Sequence, residues 1–478
     1  MSMILWSCFL FLMLLHYYNF TSYDEGNLFF VLMITLISVC CFCFKIDNLK
    51  ELRGQYLRVS NLFLLGFIIV HFQFYIDLLL GNFDLGRQDL VVNQNIIIKS
   101  AIISSIGLTS FFLGYIFKLK KIDANKFKET FISKTMDLTG LKILISLLFA
   151  VFIISTPFSY FMGGHISTEL SALSQYVQSF FILTSIGYLI LNTRNVFLMG
   201  YKAANFFDYV KCNGKFITVV LALFCFLIMM SGDRGPILQI TLVYVSCYCI
   251  LNRKKFSIFF VVAIIFLAAF IVSFLAYFRN FEGTANLVDM IQQSSEMKDE
   301  MVSSKQSFSP ITFELSKSVR TMHSAVTYTE DNGYTYGVFQ GFQLISIIPG
   351  VGQLIIPLFG MDSEMLKSSY FLTNQLDGDH GLGTTVVADI WLDFGILGII
   401  LGFYIFGYFL RKIDEYTYSH LPLNIFWYVI IAIFLSKAFY IGRSTIIVLF
   451  RDVTFCYLLL LIGVYLIRPL RTSKKLNV

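Results

Sequence analysis

The sequence predicts an all-α polytopic membrane protein of about twelve transmembrane helices with one large external loop. Its 478 residues are 57% hydrophobic and only 14% charged, whereas about a quarter of the residues of a soluble domain are charged. Apolar stretches also follow one another along the chain, and many approach the ~20 residues that a helix needs to cross a bilayer. Because these stretches are continuous rather than alternating, they are typical of helices and not of the strands of a membrane barrel.

The apolar stretches divide the chain into three parts. Residues 1–277 hold nine predicted spans, residues 278–385 form the large polar loop, and residues 386–478 hold three more spans and a basic tail. The predicted spans are approximately 3–20, 27–44, 60–80, 96–117, 139–156, 172–191, 216–231, 236–251, 256–277, 386–410, 423–441 and 445–467.

The distribution of basic residues predicts the orientation, because Lys and Arg near helix ends stay in the cytoplasm. Of the 36 basic residues, 23 fall in one set of alternating loops and in the C-terminal tail. Both termini are therefore predicted to be cytoplasmic and the large loop external. The net charge of +6 is explained by these loops and does not indicate nucleic-acid binding.

The external loop is acidic, with twelve carboxylates against six basic residues. Such a loop suits a hydroxylated ligand such as a glycan, although a solvated surface explains the composition equally well. The nine cysteines all lie outside this loop, and their spacing indicates neither a disulfide framework nor a metal site.

Within the loop, residues 338–360 are apolar enough to enter a membrane. Pro349, Gly350 and Pro357 interrupt any helix there, and a full crossing would move Arg411 and every later basic residue to the outside. We therefore predict an interfacial or re-entrant hairpin, where an isoprenoid carrier would meet water. The alternative is a hydrophobic plug over the helix ends.

Three arginines stand out at the external ends of the spans: Arg234 in SGDRGP, Arg279 after the ninth span, and Arg443 between the last two. Charged groups at the membrane boundary are costly and usually face a cavity or a partner. A guanidinium binds phosphate in a bidentate manner, so the three predict a pyrophosphate site. The alternative is that each extends to the lipid headgroups or pairs with a neighbouring carboxylate.

The segment 377–402, DGDHGLGTTVVADIWLDFGILGIILG, leads from the loop into the tenth span. Its Gly-rich turn places Asp379 and His380 at the external mouth of that span, with Asp389 and Asp393 one to two turns inside. A general base needs a pKa near the working pH, as an imidazole has. His380 is therefore a candidate base, and a loop histidine without a role is the alternative.

The chain resembles the O-antigen polysaccharide polymerase (Wzy-type) family, within the group of repeat-unit polymerases and O-antigen ligases. The resemblance rests on the GDRGP turn at 232–236, on the long external loop, and on GLGTTVVADIWLDFGILGIILG at 381–402. The last segment looks like the family's run of small residues, an acidic residue and an aromatic-Gly-x-x-Gly approach to a span. The matching residues are Asp389, Phe394, Gly395 and Gly398.

The resemblance implies a GT-C-like membrane glycosyltransferase of the bacterial inner membrane, with its active site facing the periplasm. It would transfer a growing glycan from undecaprenyl pyrophosphate to a hydroxyl of a new lipid-linked repeat unit, without a metal or another cofactor. A chain-length regulator and a flippase would be its partners.

Within this reaction, Arg234, Arg279 and Arg443 would hold the pyrophosphate. Related ligases have a His-Asn motif, whereas Gly381 follows His380 here, so His380, Asp389 and Glu282 all stay open as the base. Three further loop residues, Asp379, Arg320 and His323, are expected near the substrate.

Two other functions fit the sequence. An O-antigen ligase would use a similar site with a different acceptor. A flippase or transporter for lipid-linked oligosaccharides would also have about twelve spans, but its polar residues would gather near the midplane, often in two repeated halves. The chain shows no internal repeat, and its polar groups gather at the external boundary.

Overall fold

A computed structural model describes residues 2–19, 23–47, 55–82, 94–117, 135–161, 170–233, 235–252, 309–348, 351, 367–376, 383–419 and 424–465. Within these ranges the chain is helical and contains no β-strand. The helices are α1 (Ser2–Asn19), α2 (Glu25–Asp47), α3 (Val59–Leu79), α4 (Gln94–Ile116), α5 (Thr139–Ser155), α6 (Phe158–Phe161), α7 (Ala172–Leu198), α8 (Phe206–Cys212), α9 (Lys215–Ser231), α10 (Gly235–Asn252), α11 (Pro310–Ser316), α12 (Val319–Asn332), α13 (Val338–Ile345), α14 (Ser368–Gln375), α15 (Val386–Ser419), α16 (Ile425–Lys437) and α17 (Ile446–Tyr465), with a 3-10 helix (Ala438–Arg443) after α16.

Among the described residues, eight helices are long and apolar enough to cross a membrane: α2, α3, α4, α7, α10, α15, α16 with its 3-10 extension, and α17. Helices α8 and α9 meet at 108° and together would make a ninth, while α1 and α5 are shorter apolar helices. The prediction of a helical polytopic membrane protein is confirmed. The total of twelve spans stays a prediction, because the predicted span 256–277 lies outside the described residues.

Helices α4 and α15 approach each other closely because glycines line their crossing. A Cβ at Gly114 would lie 1.9 Å from the carbonyl oxygen of Tyr404, and one at Gly407 would lie 2.2 Å from that of Phe111. Small residues allow such contact between backbones, which is how helices associate when both solvent and side chains are apolar. This crossing fixes α15, the helix that carries Asp389, against α4.

We expect Gly114→Ala to lower the free energy of unfolding by about 1–3 kcal/mol, because the added methyl group must push two backbones apart. Thermal unfolding of the purified protein in detergent would measure the loss. Gly341→Ala is the matched control, since nothing lies within 4 Å of a Cβ at Gly341. Equal stability of the two variants would show that α4 and α15 can move apart at this crossing without a loss of stability.

A second close approach fixes the 3-10 helix that ends at Arg443. A Cβ at Gly66 of α3 would lie 1.9 Å from the carbonyl oxygen of Phe439, and one at Gly442 would lie 3.2 Å from the Cα of Phe67. The backbone next to Arg443 is therefore pressed against α3, which limits where the guanidinium can reach.

At the opposite end of the bundle, a buried carboxylate joins three helices. Asp414 of α15 is 0% exposed; it accepts hydrogen bonds from the Val59 backbone N–H at 3.0 Å and from the Tyr115 hydroxyl at 2.9 Å. Arg58, also buried, precedes Val59. Asp414 therefore provides an acceptor for a backbone N–H in the first turn of α3, which has no partner within its own helix. Through these bonds it connects α3, α4 and α15.

The described part of the large loop packs onto the bundle as a cap. Gln73 of α3 donates to the Ser309 carbonyl at 3.1 Å, and the Trp391 indole of α15 donates to the Thr329 hydroxyl at 2.8 Å. Of the predicted hairpin 338–360, the structure describes α13 and a few following residues, while 349–350 and 352–360 lie outside the described residues. The division into three parts and the interfacial position of the hairpin stay predictions.

Candidate functional site

The site forms where the loop meets a break in α15. Gly395 has φ 56° and ψ −146°, so the backbone leaves the helical conformation there. A side chain at this position would collide with the Tyr334 ring, whose nearest atom is 2.6 Å from the Cβ position. Thr335, the next loop residue, donates its backbone N–H to the Leu392 carbonyl at 2.9 Å. The loop residues Tyr334 and Thr335 therefore pack directly against the backbone of α15 at this break.

The Tyr334 phenol is one polar group of this junction. Desolvation raises its pKa above the usual value, and nearby acidic groups, Tyr18, Tyr336 and Glu330, add to the rise. The phenol therefore stays protonated at neutral pH and keeps a hydrogen to donate.

Asp389, in the first turn of α15, is buried and hydrogen-bonded on both carboxylate oxygens. Its Oδ2 accepts from the Gln340 amide at 2.5 Å, and its Oδ1 accepts from the Gln343 amide at 2.9 Å and from the Ser368 hydroxyl at 2.6 Å. Three separate segments, α13, α14 and α15, therefore converge on one carboxylate. A carboxylate offers about four lone-pair positions, and these three hydrogen bonds occupy three of them.

Asp393 follows one helical turn after Asp389 and is 0% exposed. Its carboxylate accepts from the Thr335 hydroxyl at 2.5 Å, from the Phe339 N–H at 3.3 Å and from the Gln340 N–H at 2.7 Å. The last two are backbone donors in the first turn of α13. Gln340 thus contacts both carboxylates, with its side chain on Asp389 and its backbone on Asp393.

A groove of about 870 Å³ runs from these polar groups along α15 and α17, and we call it the α15 groove. Its polar end is formed by Tyr334, Tyr336, Gln340 and Asp393. Its apolar walls include Leu397, Leu401, Ile405, Ile446, Ile447 and Phe450. Leu397 is 68% exposed and Leu401 60% exposed, so the groove is open along this side of α15.

Arg443 lies beside the start of α15. A Cβ at Gly383 would lie 3.6 Å from its Nε atom, and Ile446, which lines the opposite wall of the groove, follows it by three residues. The structure therefore places this predicted arginine near the chain that leads into α15. Lys437 and Arg451, two neighbouring cations, form ion pairs with Asp452.

The other predicted site residues divide into two groups. His323 of α12 is 1% exposed and its Nε2 lies 3.1 Å from the Tyr75 hydroxyl of α3, so it contributes to packing between those helices; Arg320 is half-buried on the same helix. The remaining predicted site residues lie outside the described residues, and they are Arg234, Arg279, Glu282, Asp379 and His380.

Sequence reasoning gave no role to Gln340, Gln343, Ser368 or Asp393. Asp393 was noted only as a second carboxylate near the mouth of the tenth span, although its spacing of four residues from Asp389 places both on one helical face. Within the described ranges, no group of three or more His, Cys, Asp and Glu side chains could hold a metal ion.

Comparison with known families gives a match over almost the whole chain. The model of the family described as O-antigen polysaccharide polymerase Wzy matches residues 2–475. Neither the comparison with curated proteins nor that with solved structures gives a match.

Proposed function

The chain belongs to the O-antigen polysaccharide polymerase Wzy family, and from that premise we propose that it joins undecaprenyl-pyrophosphate-linked repeat units by glycosyl transfer at the external face of the inner membrane. The observation that carries this proposal is the α15 groove, with hydrogen-bonding groups at one end and apolar, partly exposed walls along the rest. A lipid-linked oligosaccharide has the same division between a polar head and an apolar tail.

In the proposed reaction, a hydroxyl oxygen of the acceptor unit attacks the anomeric carbon of the donor glycan. The bond from that carbon to the pyrophosphate breaks, and the pyrophosphate departs on its lipid. The hydroxyl proton passes to Asp389, whose remaining lone pair would accept it. Arg443 stabilises the negative charge of the departing pyrophosphate, which is the step where electrostatic help matters most.

Five residues outside the described ranges, together with Arg320, complete this proposal. Arg234 and Arg279 join Arg443 at the pyrophosphate, and Asp379 and Arg320 contact the sugars. His380 and Glu282 are the alternative bases. The external position of the site rests on the distribution of basic residues, and a flippase and a chain-length regulator would act before and during polymerisation.

The test is a polymerisation assay with the purified protein in detergent and a lipid-linked repeat unit. We expect a ladder of glycan chains with the undecaprenyl substrate and little product with a geranyl analogue, because the shorter lipid leaves most of the groove unfilled. Gly402→Phe should raise KM for the undecaprenyl substrate about tenfold, which corresponds to ~1.4 kcal/mol of lost binding. A Cβ at Gly402 makes only ordinary contacts, with Ile390 at 3.4 Å, so the ring can enter the groove.

Ala150→Phe is the matched control, since Ala150 is exposed on α5, outside the groove. An unchanged KM in Gly402→Phe would show that the lipid lies elsewhere. A wild-type protein that makes no ladder but transfers glycan to a lipid A core acceptor would be a ligase. Movement of the lipid across liposomes without any glycosidic bond would identify a transporter.

A further inference from the structure

Helix α13 lacks a cap of its own. Its N-cap residue is Gly337, which has φ 91° and no side chain to accept the first N–H groups. Asp393 of α15 supplies the acceptors instead, since its two oxygens receive the N–H groups of Phe339 and Gln340. The first turn of α13 is therefore fixed by a carboxylate from another helix, 53 residues later in the chain for Gln340.

This cap decides where two amide side chains point. Gln340 and Gln343 are three residues apart, so they lie on one face of α13, and that face meets Asp389. Gln340 donates to one oxygen of Asp389 and Gln343 to the other. A shift of the first turn would move both amides away from the carboxylate together.

We propose that Asp393 is a positioning residue for the glycosyl transfer: by capping α13 it orients Gln340 and Gln343, and these hold the Asp389 carboxylate with one lone pair directed at the acceptor hydroxyl. The proposal rests on the function assigned above to Asp389. In this proposal Asp393 takes no proton; its three hydrogen bonds hold Thr335 and the first turn of α13 in place.

Asp393→Asn tests this with a side chain of the same shape. One carboxylate oxygen becomes an amide donor, so at least one buried donor, from α13 or from Thr335, faces another donor and loses its acceptor. We expect kcat to fall about 10–100-fold, as displacement of a reacting group by an ångström can do, while KM for the lipid-linked donor changes little.

The matched control is Asp414→Asn. Asp414 is a second fully buried carboxylate on the same helix, and it also receives a backbone N–H from the start of another helix. Its replacement should reduce the amount of folded protein but leave kcat per folded molecule near the wild-type value. An equal fall of kcat in both variants would overturn the positioning role.

Hydrogen exchange tests the cap without any assay of activity. In Asp393→Asn, the amides of Phe339 and Gln340 should exchange at least tenfold faster than in the wild type, whereas Asp414→Asn should leave them unchanged. Unchanged exchange in Asp393→Asn would overturn the proposal even if the enzyme polymerises glycan. If the wild type makes no polymer while exchange rises as expected, the assigned function fails and the proposal for transfer fails with it, but the cap itself is established.

A double variant separates positioning from a general loss of structure. Gln340→Met removes the amide that reaches Asp389, so its kcat should fall by a similar factor. If Asp393 acts through Gln340, the double variant Asp393→Asn/Gln340→Met should be little worse than either single one. A fall in kcat of the double variant equal to the product of the two single falls would show that the two residues act independently.

Discussion

Replacing Asp389 by Asn is expected to reduce the rate of polymerisation by about 10²–10⁴, the usual cost of removing a general base. An amide has the shape of the carboxylate but cannot take the proton of the acceptor hydroxyl. Cells that carry the variant should display glycan of single repeat units instead of a ladder. The purified variant should still bind the lipid-linked donor, because binding depends on the groove and on the arginines.

Asp414→Asn serves as the control for this variant too, since it changes a buried carboxylate at the other end of α15. Near-normal turnover of Asp389→Asn would move the proton transfer to His380 or Glu282. Loss of donor binding along with activity would instead show that Asp389 holds the structure of the site rather than taking a proton.

Replacing Arg443 by Ala should also abolish the ladder, with a fall in kcat of about 10²–10³, as seen when one group that stabilises developing charge is removed. Arg443→Lys should recover little of the activity, because an ammonium keeps the charge but lacks the planar fork that binds two phosphate oxygens. A radioactive repeat-unit assay with the purified protein would measure both variants.

Arg451→Ala is the matched control, because Arg451 lies on the neighbouring α17 with its Nε 3.8 Å from Asp452. It should polymerise glycan at a rate near that of the wild type. Long glycan chains in Arg443→Ala would remove Arg443 from the proposed pyrophosphate site and leave Arg234 and Arg279 as the predicted cations.

The helical membrane fold could be predicted because apolar length and the placement of basic residues are local properties of a sequence. Eleven predicted spans coincide with described helices, although α9 turned out to be sharply bent against α8. The GT-C likeness stays a prediction. The close crossings at Gly66 and Gly114 could not be predicted, because nothing around a glycine in the sequence shows which backbone it will meet.

The site was predictable to the extent that its charges stand at the ends of spans. Asp389 and Arg443 were selected in that way; the structure places Asp389 on α15 and Arg443 at the end of the 3-10 helix, next to the chain that leads into α15. Gln340 and Gln343 were not found, since their contacts with Asp389 cross almost fifty residues of chain and depend on how the loop folds back. His323 was expected near the substrate because it is a polar residue of the loop. Its ring instead lies in the packed interface with Tyr75.

The bond between Thr335 and Leu392 has a consequence for how this protein can change. It joins the loop to α15 through main-chain atoms, from an N–H to a carbonyl, and every residue type except proline supplies that N–H. This bond by itself sets no condition on the side chain of residue 335, although the Thr335 hydroxyl adds a second contact, with Asp393. Tyr336, the next residue of the loop, is 83% exposed, and a change of its side chain would leave this main-chain attachment in place.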